Sequence, residues 1–110
     1  MTLAFLYQPV ADLKRAVAFY QQELGLEIAW REGETTAGLK MPGTDVRLML
    51  DVGEGIPGPV FQVDSVDAFY VHRRDRYRWT TPPTDIPGGR WAVFLDPDDK
   101  PVRILDESRP

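Results

Sequence analysis

Two stretches of this chain, about fifty residues apart, repeat the same spacing of apolar residues, and this repeat constrains the fold more than any other feature. Each copy has two aliphatic residues ahead of a Phe-Tyr pair: Val10, Leu13 and Phe19-Tyr20 in the first, and Val63, Val66 and Phe69-Tyr70 in the second. A repeat of this length predicts duplicated modules. One module alone would leave a face of its sheet uncovered, so two modules must pair, within one chain or across a dimer.

The first copy predicts one helix and four strands. Asp12 is a candidate N-cap, apolar residues then recur at helical spacing from Leu13 to Leu24, and Gly25 is a natural end. Alternating or apolar runs predict strands at Leu3–Tyr7, which we expect Pro9 to end, and at Leu26–Arg31, Thr35–Met41 and Val46–Leu50. The order is therefore βαβββ.

The second copy predicts the same order after a linker at Asp51–Pro59, which is rich in Gly and Pro. Val60–Val63 is a predicted strand, and Asp64 or Ser65 can cap a helix whose apolar face starts at Val66. We predict the next strand at Tyr77–Thr81 and a loop at Pro82–Gly89.

The closing segment predicts a hairpin. Two apolar runs, Trp91–Leu95 and Val102–Leu105, flank the sequence D-P-D-D-K at residues 96–100, which is typical of a tight turn. We expect a positive φ at Asp99, because Asp tolerates that region at modest cost.

Composition limits the function classes. One hundred and ten residues predict a single domain, here 1–110 with modules at about 1–52 and 58–107. No apolar run is long enough for a membrane span, and a net charge of −4 argues against nucleic acid and anionic membranes as partners. The absence of cysteine excludes disulfides and thiolate chemistry. We expect a cytoplasmic protein.

Three segments resemble the vicinal oxygen chelate superfamily, which includes glyoxalase I, extradiol dioxygenases, fosfomycin-modifying enzymes and bleomycin-resistance proteins. They are V-A-D-L-K-R-A-V-A-F-Y-Q-Q-E-L-G-L-E at residues 10–27, V-D-S-V-D-A-F-Y at 63–70, and G-G-R-W-A-V-F-L-D-P-D-D-K-P-V-R-I at 88–104. The resemblance implies an α+β fold in which two βαβββ modules form a curled, cup-like mixed sheet around a site. Without it, the element count would also permit a ferredoxin-like domain.

In the superfamily's metalloenzymes, His and Glu side chains on four strands hold a divalent metal. The resemblance places these four positions near Phe5, Met49, Gly58 and Arg103, and no His or Glu lies in the four predicted strands. A catalytic ion needs converging lone-pair donors, whereas a guanidinium supplies none. We therefore expect neither a metal nor another cofactor. Arg103 at its position resembles the bleomycin-binding branch, whose members bind without metal or chemistry.

Two charged residues have competing interpretations. His72, in the last turn of the second helix, is favoured as a solvated or capping residue because it complements the helix C-terminus. Arg103 faces inward if the resemblance holds, so it requires a partner. That partner is either an inward carboxylate such as Asp51 or an anionic group of a ligand.

The strands carry large apolar residues that fill a core or line a pocket. Phe5, Tyr7 and Met49 are expected on the inner sheet face, with Trp30, Trp79 and Trp91 on other strands. Together they favour a pocket for a flat or aromatic ligand, with Tyr7 and Gln62 as polar handles. The predicted ligand-binding residues are Phe5, Tyr7, Trp30, Met49, Gln62, Trp91 and Arg103. No catalytic residue is predicted.

Three functions remain open. The first is a metal-free small-molecule binding protein, expected to be a homodimer with clefts built from both chains, that sequesters an antibiotic or other aromatic ligand. The second is a metal-dependent lyase, isomerase or dioxygenase of the superfamily with a shifted site that uses Gln62 and carboxylates such as Asp51 or Glu107. The third is an interaction module whose cup is occluded.

Overall fold

A computed structural model describes residues 1–109 and shows a helix and four strands twice in succession. The α+β fold built from two βαβββ modules is thereby confirmed. The elements are β1 (Thr2–Val10), α1 (Leu13–Leu24), β2 (Ile28–Glu32), β3 (Thr36–Lys40), β4 (Arg47–Val52), β5 (Gly58–Gln62), α2 (Val66–Arg73), β6 (Arg78–Ile86), β7 (Gly89–Leu95) and β8 (Pro101–Leu105).

The chain divides into two compact units. The first unit comprises Ala4–Pro57, and the second comprises Met1–Leu3 together with the residues from Gly58 onward. The assignment of both modules to a single domain stays a prediction. In the part of the chain described, no helix has the length and apolar character required to cross a membrane.

In the first unit the strands lie in the order β2-β3-β4-β1, with β1 parallel to β4 and the other neighbours antiparallel. Helix α1 begins where the Asp12 side chain accepts a hydrogen bond from the Arg15 backbone N–H at 3.1 Å, and it ends at Gly25, whose φ is 68°. Both predicted helix ends are confirmed. The helix covers one sheet face through a buried cluster of Leu13, Val17, Ala37, Leu39 and Leu50.

In the second unit the order is β5-β8-β7-β6, again with one parallel pair, β5 and β8. Ser65 caps α2, since its side chain accepts from the Ala68 backbone N–H at 3.1 Å. Helix α2 packs on a buried cluster that consists of Val63, Val66, Ala92, Phe94 and Ile104. Phe69, Tyr77 and Trp79 complete this core, and Trp79 donates its indole N–H to the Arg73 carbonyl at 3.2 Å.

A buried carboxylate joins three segments of the second unit. Asp106 accepts backbone N–H bonds from Val66 at 2.7 Å, Arg90 at 2.9 Å and Ser108 at 3.1 Å, and a hydroxyl bond from Ser108 at 2.7 Å. It is 3% exposed. The start of α2, the start of β7 and the chain after β8 are therefore held by one side chain.

Two strands run through prolines that we expected to end them. Strand β1 continues through Pro9 to Val10, and β6 continues through Pro82 and Pro83 to Ile86, so the predicted loop at Pro82–Gly89 is wrong. Strand β6 is the last in its unit's strand order, and its pairing with β7 shifts register between Thr81 and Thr84. Proline is tolerated there because the missing N–H lies on an edge strand or at a bulge.

The linker is also shorter than the sequence indicates. Asp51 and Val52 belong to β4, and Gly58 and Pro59 begin β5, which leaves residues 53–57 between the strands. Because Asp51 lies on a strand, its carboxylate points to one defined side of the sheet.

Candidate functional site

The sheet of the first unit has one face that α1 does not cover, and four predicted ligand-binding residues lie on it. Paired residues of neighbouring strands point to the same side, and so do residues two apart along a strand. The register pairs Tyr7 with Met49, Met49 with Gly38 and Gly38 with Trp30, and Phe5 precedes Tyr7 by two residues. We call this surface the first face.

Trp30 and Phe5 form the aromatic part of the first face. A Cβ added to Gly38 would lie 2.4 Å from the Cε2 and Nε1 atoms of Trp30, so the indole lies directly against the bare backbone of β3. The Phe5 ring meets the indole edge-on, with ring centroids 5.9 Å apart and an interplanar angle of 89°. Both rings are half-buried. Such an arrangement provides a flat apolar surface of the kind that binds planar ligands.

One end of the first face is polar. The Asp51 carboxylate accepts a hydrogen bond from the Tyr7 hydroxyl at 2.8 Å and another from the Thr36 hydroxyl at 2.6 Å. Asp51, which we named as a candidate partner of Arg103, thus has two hydroxyl partners in its own unit. Thr36 and Gly38 were not predicted as members of this face, and the pairing of β3 with β4 is the information that places them here.

The other three predicted residues lie on the face of the second unit that α2 does not cover, which we call the second face. The register pairs Gln62 with Leu105, Leu105 with Trp91, and Arg103 with both Val60 and Val93. The aromatic core under α2 uses the opposite side of the same strands, and it contains Trp79. Trp79 is therefore a core residue, whereas Trp91 belongs to the second face.

Arg103 is buried at 7% exposure, which is unusual for a cation. Its Nη1 atom would lie 3.5 Å from a Cβ added to Gly58, so the guanidinium passes close to the start of β5. A side chain longer than alanine at position 58 would meet the guanidinium. Gly58 and Arg103 are two of the four residues near which the resemblance places the metal ligands of the superfamily's metalloenzymes.

The side chains at these four positions do not fit a divalent metal. Phe5 and Gly58 have no donor atom, Met49 offers only a soft thioether, and Arg103 is a cation. Elsewhere in residues 1–109, no group of three or more His, Asp or Glu side chains has the geometry to hold an ion. We derive no chemistry through a metal.

The remaining charged candidates are a solvent-exposed histidine and residues of the closing turn. His72 lies in the last turn of α2 and is exposed, in agreement with the solvated interpretation. Asp96 accepts the backbone N–H groups of Asp98 at 2.8 Å and Lys100 at 2.9 Å, which is turn chemistry. Asp99 has φ of 63°, and the predicted positive φ is confirmed.

A separate groove of about 560 Å³ lies in the first unit where parallel strands β1 and β4 end. Its lining includes Pro9, Val52 and Glu54. Residues 53–58 beside it read G-E-G-I-P-G, which matches the glycine spacing of dinucleotide-binding loops. In such sites the loop opens a helix, whose N-terminus receives the pyrophosphate, but here strand β5 follows. The glycine spacing therefore does not indicate a nucleotide-binding site here.

Comparison with known proteins gives one family. The model of the Glyoxalase/Bleomycin resistance protein/Dioxygenase superfamily matches residues 2–103. No curated protein matches.

Solved structures with the same fold come from several organisms. A protein described as an NAD-dependent benzaldehyde dehydrogenase from Legionella pneumophila is 25% identical, with a TM-score of 0.77 over 94% of this chain and 98% of that one. Methylmalonyl-CoA epimerase from Mycobacterium tuberculosis is 19% identical, with a TM-score of 0.71 over 97% and 88%. A superfamily member from Vibrio splendidus 12B01 is 17% identical, with a TM-score of 0.67 over 96% and 99%. At 17–19% identity, the last two likenesses show the fold alone.

Proposed function

Because the chain belongs to the Glyoxalase/Bleomycin resistance protein/Dioxygenase superfamily, we propose that it is a metal-free small-molecule binding protein of that superfamily. It holds a flat or aromatic ligand, with antibiotics among the candidates, and acts by sequestration rather than by chemistry. The proposal includes a homodimer with clefts built from both chains.

The observation that carries the proposal is the first face. Phe5, Tyr7, Trp30 and Met49 share a side of the sheet that the unit's own helix does not cover. An aromatic side chain that only filled the core would be expected under the helix, where Trp79 and Phe94 lie in the second unit. A half-buried surface of two aromatic rings and a thioether matches the lining of small-molecule pockets, which are mostly apolar with few polar groups.

The polar groups that would orient a ligand are few. Tyr7 holds its hydroxyl toward Asp51 on the first face, and the second face offers Gln62 and Arg103 beside Trp91. A guanidinium fork suits a carboxylate or phosphate of a ligand. We assign the hydrogen bond between the Tyr7 hydroxyl and the Asp51 carboxylate to the orientation of a ligand, and the proposal has no catalytic residue.

We do not extend the dehydrogenase activity described for the Legionella protein to this chain. The glycine loop of this chain is followed by strand β5, whereas in dinucleotide-binding sites such a loop opens a helix.

The three tryptophans supply a matched test. Trp30→Phe alters the first face, Trp91→Phe alters the second, and Trp79→Phe alters only the core under α2. We would titrate each variant and the parent with (naphthalen-2-yl)methanol, a neutral planar probe, by isothermal titration calorimetry. Loss of the larger ring should weaken binding by up to about fivefold in Trp30→Phe, because aromatic contacts contribute about 1 kcal/mol beyond area burial. Trp79→Phe should bind like the parent.

Two results would overturn the proposal. The first is absence of binding to the parent protein, which would instead favour the interaction module. The second is equal weakening in all three variants, which would assign the effect to general destabilisation. A native mass spectrum of untagged protein purified without chelator would add the subunit count and reveal any retained organic molecule.

The alternative function is a metal-dependent lyase, isomerase or dioxygenase with a shifted site. The observation that favours it is Asp51, a hard oxygen donor two residues beyond Met49 on the same face of β4. One bound metal per chain, together with a turnover that chelation abolishes, would establish this alternative and exclude sequestration.

A further inference from the structure

The first face combines an aromatic surface with the half-buried carboxylate of Asp51, and this combination indicates the charge of the ligand. The exposed Glu32 is paired with Thr36 on the neighbouring strand and adds a second negative charge at the same end of the face. Asp51 is half-buried on β4, and across the sheet it is paired with Thr36 on one side and Pro9 on the other. Its two hydrogen-bond partners are hydroxyls, which are neutral. No lysine or arginine among residues 1–109 forms an ion pair with it.

A carboxylate in this setting retains binding capacity. Two oxygens offer about four lone-pair sites, and the hydroxyls of Tyr7 and Thr36 occupy two of them. The hydroxyl bonds also fix the carboxylate in one orientation, so that little side-chain freedom is lost when a third donor arrives. Partial removal from water makes an attached cation more favourable than it would be at an exposed aspartate.

The nearest opposite charge on the same face of β4 is Arg47, four residues before Asp51. Four residues of strand span about 13 Å, with Met49 between the two ends. The face is therefore apolar in the middle, negative at the Asp51 end and positive at the other. The chain's net charge of −4 adds a long-range attraction for cations.

We propose that the ligand of this protein is an aromatic compound with a protonated amine, and that the amine binds the Asp51 carboxylate while the rings lie against Trp30 and Phe5. The inference rests on the proposed binding function and names its specificity-determining residue. Charge-assisted hydrogen bonds from an ammonium to a carboxylate are about twice as strong as neutral ones. The neighbouring aromatic rings also attract a cation placed over their faces.

Three naphthalene probes that differ in one substituent test the proposal by calorimetry at neutral pH. They are (naphthalen-2-yl)methylammonium, (naphthalen-2-yl)methanol and 2-naphthoate, which are cationic, neutral and anionic. We expect the ammonium to bind the parent protein at least about tenfold more tightly than the alcohol, since hydrogen bonds between charged groups are stronger than those of a neutral hydroxyl. The naphthoate should bind more weakly than both.

Asp51→Asn removes the charge and keeps the shape, with an amide oxygen for Tyr7 and an amide N–H for Thr36. This variant should lose about tenfold in affinity for the ammonium and less than threefold for the alcohol. Asp45→Asn makes the same charge change at an exposed turn before β4, and it should leave both affinities unchanged. Added sodium chloride should weaken the binding of the ammonium to the parent protein but not the binding of the alcohol. This comparison needs no variant.

Equal affinities of the parent for ammonium and alcohol would overturn the charge assignment and leave the binding function standing. Equal weakening of both probes by Asp51→Asn would overturn it as well, because the residue would then only support the face. If none of the three probes binds the parent, the proposed function itself fails, and this inference fails with it.

Discussion

Trp30 rests on Gly38, and the contact is possible only because position 38 has no side chain. A Cβ at this position would come within 2.4 Å of two indole atoms and within 2.8 Å of a third, Cζ2. Real Cβ atoms do not approach other atoms so closely, so any larger residue would force the indole away from the sheet. Gly38 is buried, which leaves the backbone of β3 little room to move instead.

Gly38→Ala should therefore tilt Trp30 away from the first face. We expect the affinity for (naphthalen-2-yl)methanol to fall by about fivefold, comparable to loss of the aromatic contact itself. The tryptophan emission spectrum should change in position, while far-ultraviolet circular dichroism should not. Gly55→Ala is the matched control, since its Cβ would meet only Pro9 Cγ at an ordinary 3.9 Å. Unchanged affinity in Gly38→Ala would show that Trp30 does not contribute to binding.

Asp106→Asn should destabilise the protein by roughly 2 kcal/mol at neutral pH, because buried N–H donors lose a charged acceptor. Burial raises the pKa of Asp106, but hydrogen bonds from the Ser108 side chain and from the backbone of Val66, Ser108 and Arg90 more than offset this and lower it overall. A lowered pKa in the folded state adds stability that is complete above the carboxyl's ordinary value of about 4. That stability is lost as the pH falls through the lowered value.

Urea unfolding of the parent and Asp106→Asn from neutral pH down to acid measures this effect. The difference in unfolding free energy should be constant above about pH 5 and shrink below pH 4. A difference that stays constant into acid would mean that the Asp106 charge does not contribute, and that only its shape does.

Local signals in the sequence were sufficient for the helices and for the closing turn. Caps such as Asp12 and Gly25, and the positive φ of Asp99, depend on residues within one turn of each other. The ends of β1 and β6 could not be predicted from such local signals. Pro9, Pro82 and Pro83 stop a strand only when the lost N–H is needed for pairing, and this depends on which strand lies beside them.

The first face, too, was predictable from the sequence only in part. Alternation along β1 places Phe5 and Tyr7 on one side, and this needs only the sequence. The contacts of Trp30 with Gly38 and of Asp51 with Thr36 depend on the register of β2 and β4 against β3, which residue spacing does not encode. The sequence therefore predicted members of the first face, while Asp51, the half-buried carboxylate of that face, was assigned to the linker.

Asp99→Ala should destabilise the protein by about 1 kcal/mol, since alanine tolerates a φ of 63° less well than aspartate does. Asp99→Asn is the matched control. Both variants lose the ion pair with Arg78, but asparagine keeps its tolerance for the left-handed region. Thermal unfolding should place Asp99→Asn close to the parent and Asp99→Ala below both. If the two variants were equally destabilised, the ion pair rather than the backbone would account for the loss.

We expect metal ions neither to bind stoichiometrically nor to affect the ligand, because Phe5, Met49, Gly58 and Arg103, near which the resemblance places the family's metal ligands, offer no suitable donors. Equilibrium dialysis against Mn²⁺, Ni²⁺ and Zn²⁺ in turn, followed by elemental analysis, should find well under one ion per chain. Chelation with EDTA should leave the affinity for (naphthalen-2-yl)methanol unchanged. One ion per chain that is lost in Asp51→Asn would instead locate a shifted metal site on the first face. That result would replace sequestration with the metal-dependent alternative.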